Sequence, residues 1–206
     1  LTLGIRDYFS KTGHQKAVIG LSGGIDSALV ACLAVDALGS ENVYLVSMPS
    51  RFSSEHSKTD AKQLAQNLNA HFDTVDIDSL FEKYLDVLNP KFKGLESNVT
   101  EENIQSRIRG NILMAFSNKF SCLVLSTGNK TELALGYCTL YGDMSGGLSA
   151  IGDLSKTEVY NLAKWKNKVS NNIIPDSSIT KPPSAELAPN QIDPFDYDLI
   201  SPIVDK

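Results

Sequence analysis

Six consecutive residues, Ser22-Gly23-Gly24-Ile25-Asp26-Ser27, combine the groups that hold a phosphate. Gly23 and Gly24 lack side chains, so their N–H groups can approach an anion closely and adopt positive φ where needed. Ser22 and Ser27 add hydroxyl donors, and a following helix would aim its free N–H groups and positive dipole end at the same anion. Asp26 would repel a bare phosphate. It makes sense if Mg²⁺ sits between its carboxylate and the phosphate oxygens. The loop lacks the Lys-Ser/Thr pair of a Walker A motif and the spacing of a dinucleotide G-x-G-x-x-G motif. The plain alternative is a tight strand-to-helix turn capped by Asp26 or Ser27.

The flanking pattern supplies the elements that must position this loop. Lys16–Leu21 is a short apolar run and predicts a buried strand, and Ser27–Leu38 is apolar on nearly every face and predicts a buried helix. Residues 42–48, 71–77 and 122–126 predict three further strands, and residues 54–69 and 78–88 predict helices. Residues 100–118 predict an amphipathic helix with Ile104, Ile108, Ile112 and Phe116 on one stripe. A short helix is expected over residues 129–135. Ser155-Lys156-Thr157-Glu158 matches a capping box that opens a helix to about Lys168. Residues 142–152 carry no period, and the chain after Asn171 reads as loops with a short terminal helix. Alternating strands and helices predict a doubly wound parallel sheet with helices on both faces, a Rossmann-like α/β fold. Ligands bind such sheets beyond the carboxyl ends of the strands where the order reverses. Ser22–Gly24 and Thr127–Asn129 both follow strands, so both would face one cleft.

The chain has 206 residues, 42% hydrophobic and 21% charged, which suits one globular domain over 1–206. Its 19 Lys and Arg against 24 Asp and Glu give a formal charge of -5, which disfavours a nucleic-acid backbone binder. The three cysteines, Cys32, Cys122 and Cys138, are widely spaced without metal-binding spacing, so a reducing cytoplasm is the simplest expectation. No stretch is long and apolar enough to cross a bilayer, and no signal peptide opens the chain. The chain starts without Met, which leaves open a fragment, a processed form or ordered residues only.

Ser22–Ser27 resembles the SGGxDS pyrophosphate loop of the N-type ATP pyrophosphatases, which split ATP between its α and β phosphates and adenylate a substrate. Within that superfamily, residues 102–110, Ser126-Thr127-Gly128-Asn129-Lys130-Thr131-Glu132 and Gly136-Tyr137-Cys138-Thr139-Leu140-Tyr141-Gly142-Asp143 look like the NAD synthetase family. So do Met48-Pro49-Ser50-Arg51 and Lys181-Pro182-Pro183-Ser184-Ala185-Glu186-Leu187. The resemblance runs to about Gln191 and is nearest to the synthetase domain of the glutamine-dependent enzymes. It implies the adenine nucleotide alpha hydrolase-like fold and the ATP-dependent amidation of deamido-NAD⁺ through an acyl-adenylate, releasing AMP and pyrophosphate. Ammonia would come free, or from glutamine through a separate glutaminase domain or subunit.

The resemblance also implies roles by residue. Gly20, Leu21, the whole loop Ser22–Ser27, Arg51, Thr127 and Lys156 would contact ATP. Asn103 and Arg107 would contact the dinucleotide, and Tyr137, Cys138, Thr139 and Leu140 would line its pocket. Glu132, otherwise a first-turn helix carboxylate, would bind substrate or join Asp26 in holding Mg²⁺. Asp143 is the candidate proton acceptor. Lys156, a cation at a helix start against the dipole, would serve the phosphates. Residues 142–152 resemble a mobile active-site loop, and a homodimer is expected. Arg107 and Arg109, two positions apart on a helix, point in different directions and need not share a role. The match weakens at three places. Leu140 and Gly147 replace polar residues of stand-alone relatives. Asp193-Pro194-Phe195-Asp196 is shorter than the acidic stretch expected before Tyr197. The family's basic C-terminal segment is absent, so the C-terminal end is expected to be incomplete. Three other readings remain open: a sulfur-transferring or other amidating pyrophosphatase, a non-catalytic adenine-nucleotide sensor, and an interaction domain of a larger assembly.

Overall fold

A run as apolar as Lys16–Leu21 needs cover on both faces, and a parallel sheet between two helix layers provides it. The computed structural model describes residues 1–206. Its elements are α1 (Thr2–Thr12), β1 (Lys16–Gly20), α2 (Ile25–Leu38), β2 (Val43–Ser47), α3 (Glu55–Leu68), β3 (His71–Thr74), α4 (Asp78–Leu88) and α5 (Val99–Phe120). There follow β4 (Cys122–Ser126), α6 (Lys130–Leu135), β5 (Leu148–Ser149), α7 (Lys156–Val169), α8 (Asp176–Thr180) and α9 (Tyr197–Val204). The strands form one sheet in the order β3-β2-β1-β4-β5, every pair parallel.

Period-two alternation shares the strand side chains between two cores. Ala17, Ile19 and Leu21 of the β1 region join a large cluster with Ile5 and Phe9 of α1, most of α2, Ala61 and Leu64 of α3, and Val159 and Ala163 of α7. Val18, between them, turns to the opposite face and meets Phe81 of α4 and Ile104 and Ile108 of α5. Ile112 and Phe116 continue that stripe as partly buried residues. Packed against α1, α3 and α7, α2 is buried from Ser27 to Ala34, which is why that stretch is apolar on nearly every face.

The chain winds from β1 through β2 to β3, then returns through α4 and α5 to place β4 on the other side of β1. The order therefore reverses between β1 and β4, where the two glycine-containing loops emerge. Three features differ from the sequence expectation. Helix α2 starts at Ile25 with Gly24 as N-cap, so neither Asp26 nor Ser27 caps it. The segment 142–152 contains β5, and its glycines serve close packing: a Cβ on Gly147 would lie 2.4 Å from the Leu123 side chain. A five-residue helix, α8, interrupts the stretch expected to be loop. No helix is long and apolar enough to cross a membrane.

The loop after β1 is pressed against α3. Gly23 has φ +83°, and a Cβ there would lie 2.2 Å from the Ser57 carbonyl oxygen. Gly23→Ala is expected to cost about 1–3 kcal/mol from left-handed backbone and this clash. Gly4→Ala, in open space on α1, should instead stabilise by about 0.5–1 kcal/mol. Urea unfolding of both variants checks the contrast.

Candidate active site

The loop closes on itself before it meets any ligand. Ser27 Oγ accepts from Ser22 N–H at 3.2 Å and donates to Gly24 O at 3.0 Å, and it lies 3.0 Å from Ser22 Oγ. Gly24 N–H donates to Ser22 Oγ at 3.2 Å, and Gly23 O accepts from Ser178 Oγ of α8 at 2.9 Å. These bonds spare the side chain of Asp26, in the first turn of α2, for the cleft.

Three helix starts converge on that carboxylate. Lys156, the first residue of α7, donates from Nζ to Asp26 Oδ2 at 2.6 Å and to Glu132 Oε1 of α6 at 3.3 Å. Asn129 caps α6 by accepting from Glu132 N–H at 3.0 Å, and its Nδ2 donates to Asp26 Oδ1 at 2.9 Å. Glu132 closes the capping box on Asn129, and Glu158 does the same for Ser155, so both boxes fix the first turns that carry the site. The Lys156 side chain is only 3% exposed, against 18% for both carboxylates. Burial opposes its charge most strongly, yet Asp26 and Glu132 together hold its pKa well above the ordinary value. Glu132 is pushed up to about 7, first by burial and then by Asp26, with Lys156 opposing.

A cleft of about 440 Å³ opens beyond the carboxyl ends of β1 and β4. Gly20, Leu21, Ser22, Gly24, Ile25, Asp26, Ser27, Thr127, Glu132, Tyr137, Cys138, Asp143 and Lys156 all line it. Gly23 shapes the loop from behind. The remaining predicted residues lie elsewhere. Arg51 is held by Asp78 at 3.3 Å and Glu82 at 2.6 Å and does not line the cleft. Asn103, Arg107, Thr139 and Leu140 form a separate cluster: Thr139 Oγ1 donates to Asn103 Oδ1 at 2.7 Å, and Arg107 Nε to Leu140 O at 3.2 Å. Asp143 accepts from Thr139 N–H at 2.9 Å and from Ser106 Oγ at 3.1 Å, which closes the turn before residue 144.

Other residues of the site had no assigned role. Lys58, Arg109 and Lys181 add cations to the cleft wall. Lys181 Nζ reaches Ser57 Oγ at 2.9 Å, and Arg109 Nε donates to Met48 O at 2.9 Å. Burial brings Arg109 down to about 10, with Glu186 and Asp78 opposing. Glu186 straps residues 181–187 to the start of α3 by accepting from the hydroxyls of Ser54 at 2.8 Å and Ser57 at 2.7 Å. Asn129 lies within the family-like segment Ser126–Glu132, and its bond to Asp26 shows a part in the site that the motif alone did not assign. Asp26 and Glu132 are the carboxylates that could hold a divalent cation, and no third Asp, Glu, His or Cys groups with them.

The raised Glu132 pKa has a stability consequence. Between pH about 4.5 and 7 the folded chain holds a proton on Glu132 that the unfolded chain releases. Without divalent cation, stability should therefore fall as pH rises through that window. Urea unfolding at about pH 5 and about pH 8 should show this slope, and Glu132→Gln should flatten it.

Comparison with known proteins gives the family. The family model described as NAD synthase matches residues 1–206. A glutamine-dependent NAD(+) synthetase of Synechocystis sp. is 56% identical over 193 residues, 94% of this chain. The chain spans about a third of that relative's length, 34%. The glutamine-dependent NAD+ synthetase of Acinetobacter baumannii, solved with ADP, superposes with a TM-score of 0.86 at 45% identity, covering 90% of this chain and 36% of that one. An NMN synthetase from Francisella tularensis gives a TM-score of 0.88 at 29% identity, covering 99% and 82%. With a parallel sheet, a switch-point cleft and a family match along its whole length, the chain belongs to the NAD synthase family.

Proposed function

We propose that this chain is a synthetase domain that converts deamido-NAD⁺ to NAD⁺, with ATP and ammonia as co-substrates. The observation that carries it is the convergence of Asp26, Glu132 and Lys156 beside the self-closed loop Ser22–Ser27 at the sheet's switch point. The solved Acinetobacter baumannii relative is in complex with ADP, which supports nucleotide binding in this family. The triphosphate would lie on Gly24 N–H, the Ser22 and Ser27 hydroxyls and the start of α2, and Lys156 would exchange one of its carboxylate bonds for the departing pyrophosphate. Thr127, Gly20 and Leu21 would contact the rest of the nucleotide.

Asp26 and Glu132 fit a magnesium site. Two carboxylates bordering the cleft, completed by phosphate oxygens and water, match the mode in which Mg²⁺ usually binds. Bound there, Mg²⁺ would supply charge neutralisation for the leaving pyrophosphate.

In the first step the nicotinate carboxylate attacks the α-phosphorus of ATP; the bond to the β-phosphate oxygen breaks and pyrophosphate leaves. In the second, ammonia attacks the acyl carbon; AMP leaves and one proton is released. Positioning carries most of this chemistry. Asp143 lines the cleft and is the candidate acceptor for the proton, in addition to closing its turn. Tyr137 and Cys138 would line the nicotinate side. Asn103, Arg107, Thr139 and Leu140 would hold the more distant part of the dinucleotide, and Arg51 would have to leave Asp78 and Glu82 to reach ATP. Exposed Leu80, Tyr84, Val87 and Val99, on α4 and the start of α5, support a homodimer. The ammonia would arrive free or from a glutaminase domain or subunit.

The likeness to the NMN synthetase favours a second reading, in which the acid is a mononucleotide. The test supplies ATP, Mg²⁺ and ammonium with deamido-NAD⁺ or with deamido-NMN. The first reading predicts AMP, pyrophosphate and NAD⁺, with the dinucleotide preferred. Preference for the mononucleotide would establish the second reading, and ADP with phosphate would reject both. Asp26→Asn should lower kcat by about a hundredfold or more. Retained activity would remove Asp26 from the metal site.

A further inference from the structure

The last helix of the chain packs behind Lys156 rather than lining the cleft. Helix α9 lies against α6 and α7, fastened by Lys130 Nζ to Asp205 Oδ1 at 2.9 Å and by a 3.3 Å contact between the hydroxyls of Thr131 and Ser201. Its first residue, Tyr197, is 7% exposed, and its ring centroid lies 5.2 Å from Lys156 Nζ. The Tyr197 hydroxyl donates to Asp193 Oδ2 at 2.8 Å, and Asp193 N–H donates to Pro183 O at 3.0 Å. The ring is therefore fixed from both ends.

An ammonium has three N–H donors. Those of Lys156 meet Asp26, Glu132 and, on the remaining side, the ring of Tyr197. A buried donor without an acceptor is costly, and a third carboxylate would place more negative charge beside a polyphosphate. An aromatic face accepts the third N–H without adding charge.

We propose that Tyr197, oriented by Asp193, is a positioning residue: its ring holds the Lys156 ammonium in place and shields it from water. The proposal rests on the reading of the cleft as the ATP site for its kinetic consequences, but not for its structural one.

Three variants separate the parts. Tyr197→Phe keeps the ring and loses the bond to Asp193; Tyr197→Leu keeps apolar bulk without a π face; Tyr197→Ala removes both. At saturating ATP, Phe should retain the rate within about threefold, whereas Leu and Ala should lower kcat by about ten- to thirtyfold with a smaller change in the KM for ATP. Wild-type kcat in Leu and Ala, or a loss in Phe as large as in Ala, would overturn the proposal. A second readout needs no turnover. An amine-acylating reagent, mapped by mass spectrometry, should spare Lys156 in the wild type and Tyr197→Phe and modify it severalfold faster in Tyr197→Ala. Equal modification in the wild type and Tyr197→Ala would also overturn it. Absence of NAD⁺ formation by the wild type would reject the functional reading and leave the labelling result to decide this one. If Tyr197→Ala fails to fold, Tyr197→Leu carries the kinetic test.

Discussion

One buried ammonium shared by two carboxylates holds the site together. Lys156, Asp26 and Glu132 come from three separate helices, α7, α2 and α6, and meet within hydrogen-bond distance. Such a contact is not a cheap source of stability, because burying three charges costs more desolvation than an exposed pair. Its effect is registry. If any member moves, an uncompensated charge is left in a buried place, so the three helix starts must approach in one arrangement. Lys58, Arg109 and Lys181 also line the cleft, with Lys58 paired to Glu55 at 2.8 Å and Lys181 to Asp60 at 3.4 Å.

The fold supplies this meeting point by topology. Because the order reverses between β1 and β4, the turns after those strands border one crevice. The self-bonded loop uses Ser27 to tie its own backbone, and Gly23 lets it sit against α3 without a side chain in the way. Capping boxes at Asn129 and Ser155 then place Glu132 and Lys156 with little freedom in the first turns of α6 and α7. Local hydrogen bonds at the helix starts and tertiary packing thus act together to place each charged group.

Legibility in the sequence followed the physics of each element. Apolar runs bounded by Gly or Pro marked β1, β2 and β4, and the Ile stripe marked α5, because periodicity is a local property. Lys156 was recognisable as misplaced for the dipole, and the structure pairs it with Asp26 and Glu132. Strand β5 escaped notice because it consists of two residues, and its pairing depends on glycines that let the backbone approach β4. Helix α8 was too short to show a period. Arg51 and Tyr197 show where sequence reading stops. The ion pairs that hold Arg51 outside the cleft, and the path of the Pro- and Asp-rich tail that brings Tyr197 under Lys156, are set by residues distant in the chain.

The central claim is that the loop after β1 and the Asp26–Glu132–Lys156 group form one phosphate-and-metal site. A crystal structure with pyrophosphate and Mn²⁺, read by anomalous scattering, tests it most directly. The expected density is a manganese peak in contact with Asp26 and Glu132, and phosphate oxygens on Gly24 N–H and Lys156. Pyrophosphate bound away from the Ser22–Ser27 loop, or a manganese peak contacting neither carboxylate, would contradict it.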